Sequence, residues 1–170
     1  MRPVLAVAAV VLAASGCAGT DEPDDAKVAW AGELCAVAAS GAAALDRSPP
    51  AADPADPAAV RSAVTTYLES VTAGLTAAAD GAAALRPSPI AGGDALADRL
   101  ATAYRGLREP LDAPLAALRA DTRPGAALTA LAAVVPRITS LVEPDVEPDS
   151  EFTRWAERAP RCADMPTLRS

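Results

Sequence analysis

Chemistry needs side chains that ionise, coordinate or attack, and this chain is short of them. None of its 170 residues is histidine, which removes the commonest general base and the commonest transition-metal ligand together. Neither a Ser-His-Asp nor a Cys-His arrangement can be built, and the Glu-x-x-His pairs of a di-iron carboxylate bundle are absent too. Three cysteines, Cys17, Cys35 and Cys162, are too few for a structural zinc site. Carboxylates remain. Glu33, Glu69 and Glu109 fall on separate segments, and two of them facing each other across a cleft would make an acid and base pair. Nothing in their spacing selects that arrangement over three solvated glutamates. "EPDVEPD", Glu143 to Asp149, gathers four carboxylates in seven residues. It lacks the glycine and alternating ligand order of a calcium loop and reads as a solvated acidic connector. Arg99, Arg105, Arg108 and Arg119 recur along one segment, but Asp98, Glu109 and Asp112 interrupt them, as on an ordinary charged face. "AGGD", Ala91 to Asp94, is a lone glycine pair that reads as a turn and helix start, not a phosphate loop. No catalytic residue and no metal ligand is assigned, and the chain is read as a non-enzyme.

The elements that would position any of these groups are helices. Alanine supplies 45 residues while aromatics make up 3%, so the best helix former dominates and strand-forming runs are nearly absent. The formal net charge is −7, with Lys27 the single lysine beside 14 arginines. An acidic chain gains nothing from counterion release, so nucleic acid is excluded as a partner.

The first helix is expected from an N-cap at Asp24 or Asp25 to about Leu45, with Ala31, Leu34, Cys35, Ala38, Ala42 and Leu45 on its inner stripe and Trp30 as a core anchor. Asp56-Pro57 signals the next start. Val64, Leu68, Val71, Leu75, Ala78, Ala82 and Leu85 then follow alternating spacings of four and three, a narrow packing seam. A third helix carries Leu96, Leu100, Tyr104, Leu107, Leu111, Leu115 and Leu118, with Pro110 and Pro114 expected to kink or split it. A fourth runs from about Pro124 with Leu128, Leu131, Val135, Ile138 and Val142 inward and Pro136 in its interior. A short fifth starts at Asp149 or Ser150 and includes Phe152 and Trp155. Four amphipathic segments with short proline-rich turns predict an all-α, antiparallel four-helix bundle with a short C-terminal helix.

The N-terminus is of another kind. Arg2 precedes an 11-residue apolar run, Val4 to Ala14, too short to span a bilayer and suited to a signal-peptide core. "LAASGC", Leu12 to Cys17, follows. This resembles the lipobox of bacterial lipoproteins, with Ala14 where those proteins prefer leucine. The resemblance covers residues 1–17. It implies removal of a signal peptide, 1–16, and a diacylglyceryl group on Cys17, with no other cofactor. Two acyl chains anchor stably where one does not. Residues 17–26, "CAGTDEPDDA", would form an acidic tether, leaving 27–170 as the helical domain. No later segment is expected to be apolar enough for a second membrane span.

With Cys17 lipidated and the domain outside the cytoplasm, Cys35 and Cys162 are the implied disulfide, tying the two ends of the domain. Composition, lipobox and the "WAGELC" to "RCADMP" pairing are similar to small alanine-rich lipoproteins of actinobacteria. The expected function is binding of a macromolecular partner, an envelope protein, at the outer face of the cell membrane. The alternative is a carrier or sensor of a small apolar ligand, in a pocket opened by helices kinked at Pro110, Pro114 and Pro136.

Overall fold

The computed structural model describes residues 24–123, 125–140, 150–163 and 165. Within them the chain is helical and contains no strand: α1 (Asp24–Leu45), α2 (Pro57–Ala84), α3 (Gly93–Ala120), α4 (Ala126–Ser140), α5 (Ser150–Ala156) and a terminal 3-10 turn, Pro160–Cys162. The signal peptide, Cys17, tether residues 18–23, Val142 and the acidic connector Glu143 to Asp149 lie outside the described residues, as do the side chains of Val135 and Ile138.

Local chemistry explains most boundaries. Asp56 caps α2 in an extended conformation, its carboxylate accepting the Ala58 and Ala59 N–H groups at 2.9 and 3.1 Å. Pro57 follows at the one position where a missing N–H costs nothing. Gly92 precedes α3 with φ 76°, a left-handed conformation that glycine adopts without strain. Asp24 and Asp25 are not N-caps but belong to the first turn of α1, where carboxylates favour the positive end of the helix dipole. The last three residues of the expected tether are therefore helical.

Helix α2 packs most extensively on α3 and next on α1, while α4 lies against α3 and α2, and α5 and the 3-10 turn lie against α1. The α2 seam is buried as expected from Val64 to Ala82, with Leu85 half-buried. Close approach between α1 and its neighbours depends on small residues. A Cβ at Gly74 would stand 2.5 Å from that of Ala44, and one at Gly41 would collide with the Tyr104 ring. Tyr104 fills that space from α3 and donates its hydroxyl to the Ala38 carbonyl at 3.1 Å. Trp30 is the expected core anchor: its ring meets Phe152 edge-on at 6.2 Å and its Nε1 donates to the Leu85 carbonyl at 2.6 Å.

Three expectations require correction. First, α3 is not split: it runs 28 residues through Pro110 and Pro114. Each proline removes one helical hydrogen bond, to the carbonyls of Gly106 and Pro110 respectively. Gly106 is exposed, and a Cβ there would meet nothing within 4 Å, so water can reach this turn of the helix. Leu111, Leu115 and Leu118 bury the other face and hold the helix through the gap. Second, α4 turns a different stripe inward. Ala127, Ala130 and Val134 are buried, Leu131 is half-buried, and Leu128 is 62% exposed. Third, α1 has the length and hydropathy of a membrane-crossing helix. Alanine confers that hydropathy nearly all round the helix, yet Trp30, Ala31, Leu34, Cys35 and Ala38 lie in the core cluster.

Candidate functional site: a cleft between α3 and α4

The burial pattern of α4 has a spatial consequence. Alanine faces let helix backbones approach but fill little volume, so an alanine-lined seam leaves room wherever the helices diverge. Between the C-terminal half of α3 and the first half of α4 lies an open cleft of about 640 Å³. Its walls are Ala113, Pro114 and Ala117 on one side and Ala126, Thr129, Ala130 and Ala133 on the other; Asp121, Arg123 and Gly125 form the end where the helices connect. That volume falls within the roughly 300–1,000 Å³ of small-molecule pockets.

The connection is held by a residue from a third helix. Arg61 of α2 donates from Nη1 to the carbonyls of Leu118, at 2.9 Å, and of Asp121, and from Nη2 to that of Arg123 at 2.8 Å. A helix leaves its last carbonyls without N–H partners, and a guanidinium is well suited to cover them. Asp121 supplies the other anchor. Its carboxylate accepts the Arg123 backbone N–H at 2.9 Å and takes the Arg123 guanidinium side-on, with Nε at 3.0 Å from both oxygens and Nη2 at 2.5 Å from Oδ2. These bonds from Arg123, aided by the nearby charge of Arg61, hold the Asp121 carboxyl at about 2. It is ionised at any ordinary pH.

The residues singled out by type lie elsewhere. Cys35 and Cys162 are joined, with S–S 2.02 Å and both side chains fully buried. Around this bond, Glu33 pairs with Arg161 at 2.5 Å and Asp24 with Arg158 at 3.1 Å. Lys27, Arg154 and Arg158 each stand 5.1–5.2 Å from the centre of the Trp155 ring. Glu69 pairs with Arg119 at 2.8 Å across α2 and α3, and Glu109 is exposed. The three glutamates are thus not brought together. Arg108 pairs with Asp112 one turn on, at 2.8 Å, which is the charged-face arrangement expected of α3. Among the described residues no group of three or more Cys, Asp or Glu could hold a metal ion.

Pro114 is the one cleft residue the sequence brought forward. Arg61, Asp121 and Arg123 carried no motif. Their signal was faint: alanines at 113 and 117, then at 126, 130 and 133, repeat at helical spacing on both sides of the "DTRPG" break. No protein-family model, curated protein or solved structure matches the chain.

Proposed function

We propose that the chain is a lipid-anchored, extracytoplasmic, non-enzymatic domain that works by binding a small, largely apolar ligand in the α3–α4 cleft. The single observation carrying the binding reading is the cleft, about 640 Å³ with alanine walls and Pro114 at its edge. The address rests on the sequence: an apolar core of signal-peptide length and the "LAASGC" stretch ending at Cys17. In this reading residues 1–16 are removed, Cys17 carries the diacylglyceryl group, and the acidic tether leads into α1 at the outer face of the membrane.

The domain is read as an antiparallel four-helix bundle with α5 fastened to α1. Inter-helix pairs support that order: Trp30 with Leu85 and Arg47 with the Ser70 carbonyl between α1 and α2, Arg86 with Asp98 and Arg61 with the end of α3 between α2 and α3. The cleft then sits at the end of the bundle away from Asp24. Helix α1, with 22 residues, is roughly 33 Å long, which in this arrangement is about the distance between that end and Asp24.

A second reading, docking of an envelope protein, is favoured by Leu128, the large hydrophobic residue exposed among the described residues of α4, beside cleft residue Thr129. One exposed leucine is ordinary on a protein surface, whereas partner sites usually show contiguous apolar patches of several hundred Å². The cleft therefore leads.

Two measurements test the proposal. Mass spectrometry of the mature protein from its host is expected to find a lipidated N-terminal Cys17; an unmodified N-terminus refutes the anchor. An apolar fluorescent probe is expected to bind the oxidised domain and to be displaced when Ala130→Trp fills the cleft. Equal probe binding by that variant refutes the cleft, and loss of pull-down partners on Leu128→Glu with probe binding intact would favour docking.

A further inference from the structure

We propose that the cleft takes a small amphipathic acid, whose apolar body lies along the alanine walls and whose single carboxylate is held at the Arg123 end. The inference deepens the cleft-binding function and rests on it.

Charge at the connecting end decides the ligand class. Two guanidinium groups meet there, Arg61 and Arg123, and one carboxylate, Asp121. The bonds of Arg61 go to three backbone carbonyls, which are neutral acceptors, so they leave its positive charge uncancelled. Asp121 is taken by Arg123. The end of the cleft thus carries one formal positive charge in excess, and the remaining lining residues, alanine, proline, glycine and threonine, carry none. The usual obstacle to an anion at this place is the negative end of α3, where carbonyls point outward. Here Arg61 covers the Leu118 carbonyl and the Asp121 N–H covers that of Ala117.

Arg123 is also the group able to respond. Its side chain is 86% exposed, against 27% for Asp121, so it can move while the aspartate stays. A guanidinium has five N–H donors in a planar fork, and a ligand carboxylate can share the fork with Asp121 or take it over. A neutral head group can accept one hydrogen bond from the fork but forms no bidentate ion pair, and an ammonium head is repelled by both arginines. The apolar walls require the rest of the ligand to be hydrocarbon-like.

The test uses the chain from residue 17 onward, soluble through Cys17→Ser, with the Cys35–Cys162 bond intact. Decanoate, decanol and decylammonium are titrated calorimetrically below their micelle-forming concentrations at neutral pH. Decanoate is expected to bind about tenfold more tightly than decanol, and decylammonium more weakly than either. Arg123→Gln is expected to bring decanoate down to the decanol affinity. Asp121→Asn frees the guanidinium while keeping an oxygen for the Arg123 N–H, so it is expected to tighten decanoate severalfold and to widen its preference over decanol. If decanol binds as well as decanoate, or if Asp121→Asn leaves decanoate where it was, the amphipathic acid is overturned while the cleft function stands. If none of the three binds a protein with an unaltered melting curve, both are overturned.

Discussion

Breaking the Cys35–Cys162 bond is expected to cost this protein a large share of its stability, and the size follows from where the bond lies. The two cysteines are 127 residues apart, so the cross-link closes nearly the whole domain into one loop. In the chain-entropy description a loop of that length stabilises by up to about 5 kcal/mol at 25 °C, by restricting the unfolded chain. Total stabilities of single domains are only about 5–15 kcal/mol. For a domain of this size the loss corresponds to a melting temperature lower by about 10–20 °C. The bond also fixes the 3-10 turn to α1, beside Phe152 and Trp155, which are buried against the same helix. Urea unfolding of oxidised protein, reduced protein and the Cys35→Ala/Cys162→Ala variant measures the effect. Reduction retains both sulfur atoms, so the reduced protein isolates the cross-link and the variant adds the loss of packing. The m-value should rise on reduction, because an unfolded chain freed of the loop exposes more surface. A midpoint and m-value unchanged on reduction, equivalent to less than about 1 kcal/mol, would refute the loop argument.

Four further outcomes are expected. Gly41→Ala should destabilise by about 1–3 kcal/mol, since its methyl group would displace Tyr104 from a packed core. Gly106→Ala, in the same fold with open space around it, should stabilise by about 0.5–1 kcal/mol; chemical denaturation of the pair separates close approach from helix propensity. Arg61→Met removes three hydrogen bonds to the end of α3 and should cost about 1–3 kcal/mol, with weakened probe binding in the cleft as the second readout. For Asp121, the folded pKa is depressed to about 2, below the ordinary carboxylate range. Its contribution is therefore present above about pH 4 and lost as pH falls through about 2. Acid titration of Asp121→Asn should lack that portion of the wild-type decline.

Much of the architecture was legible because helical periodicity survives where large side chains mark it. The α2 seam from Val64 to Ala82 is buried, and Asp56-Pro57 begins that helix with the hydrogen bonds an N-cap requires. On α3 the leucines mark the buried face, and the helix continues through Pro110 and Pro114 because a lost hydrogen bond on a wet face costs less than a buried leucine row returns. On α4 hydrophobicity misleads about the buried face. Leu128 is the more apolar residue, yet Ala127 and Ala130 are the buried ones, and periodicity weighted by hydrophobicity overlooks so small a side chain.

By itself the sequence determined that the chain is helical and has no histidine chemistry. The pairing of Cys35 with Cys162, expected from the resemblance at Cys17, is present. Helix preference and the lack of histidine are compositional, whereas the bond joins residues 127 apart and forms because the fold brings them to a Cα–Cα distance of 5.1 Å. The cleft belongs to tertiary structure alone. Its alanines resemble the alanines of any helix here until α3 and α4 set them facing each other, and Arg61 stands about sixty residues from the carbonyls it holds. A space between surfaces and a charge left over among three side chains arise only from placement in three dimensions, which residue types and spacings do not encode separately.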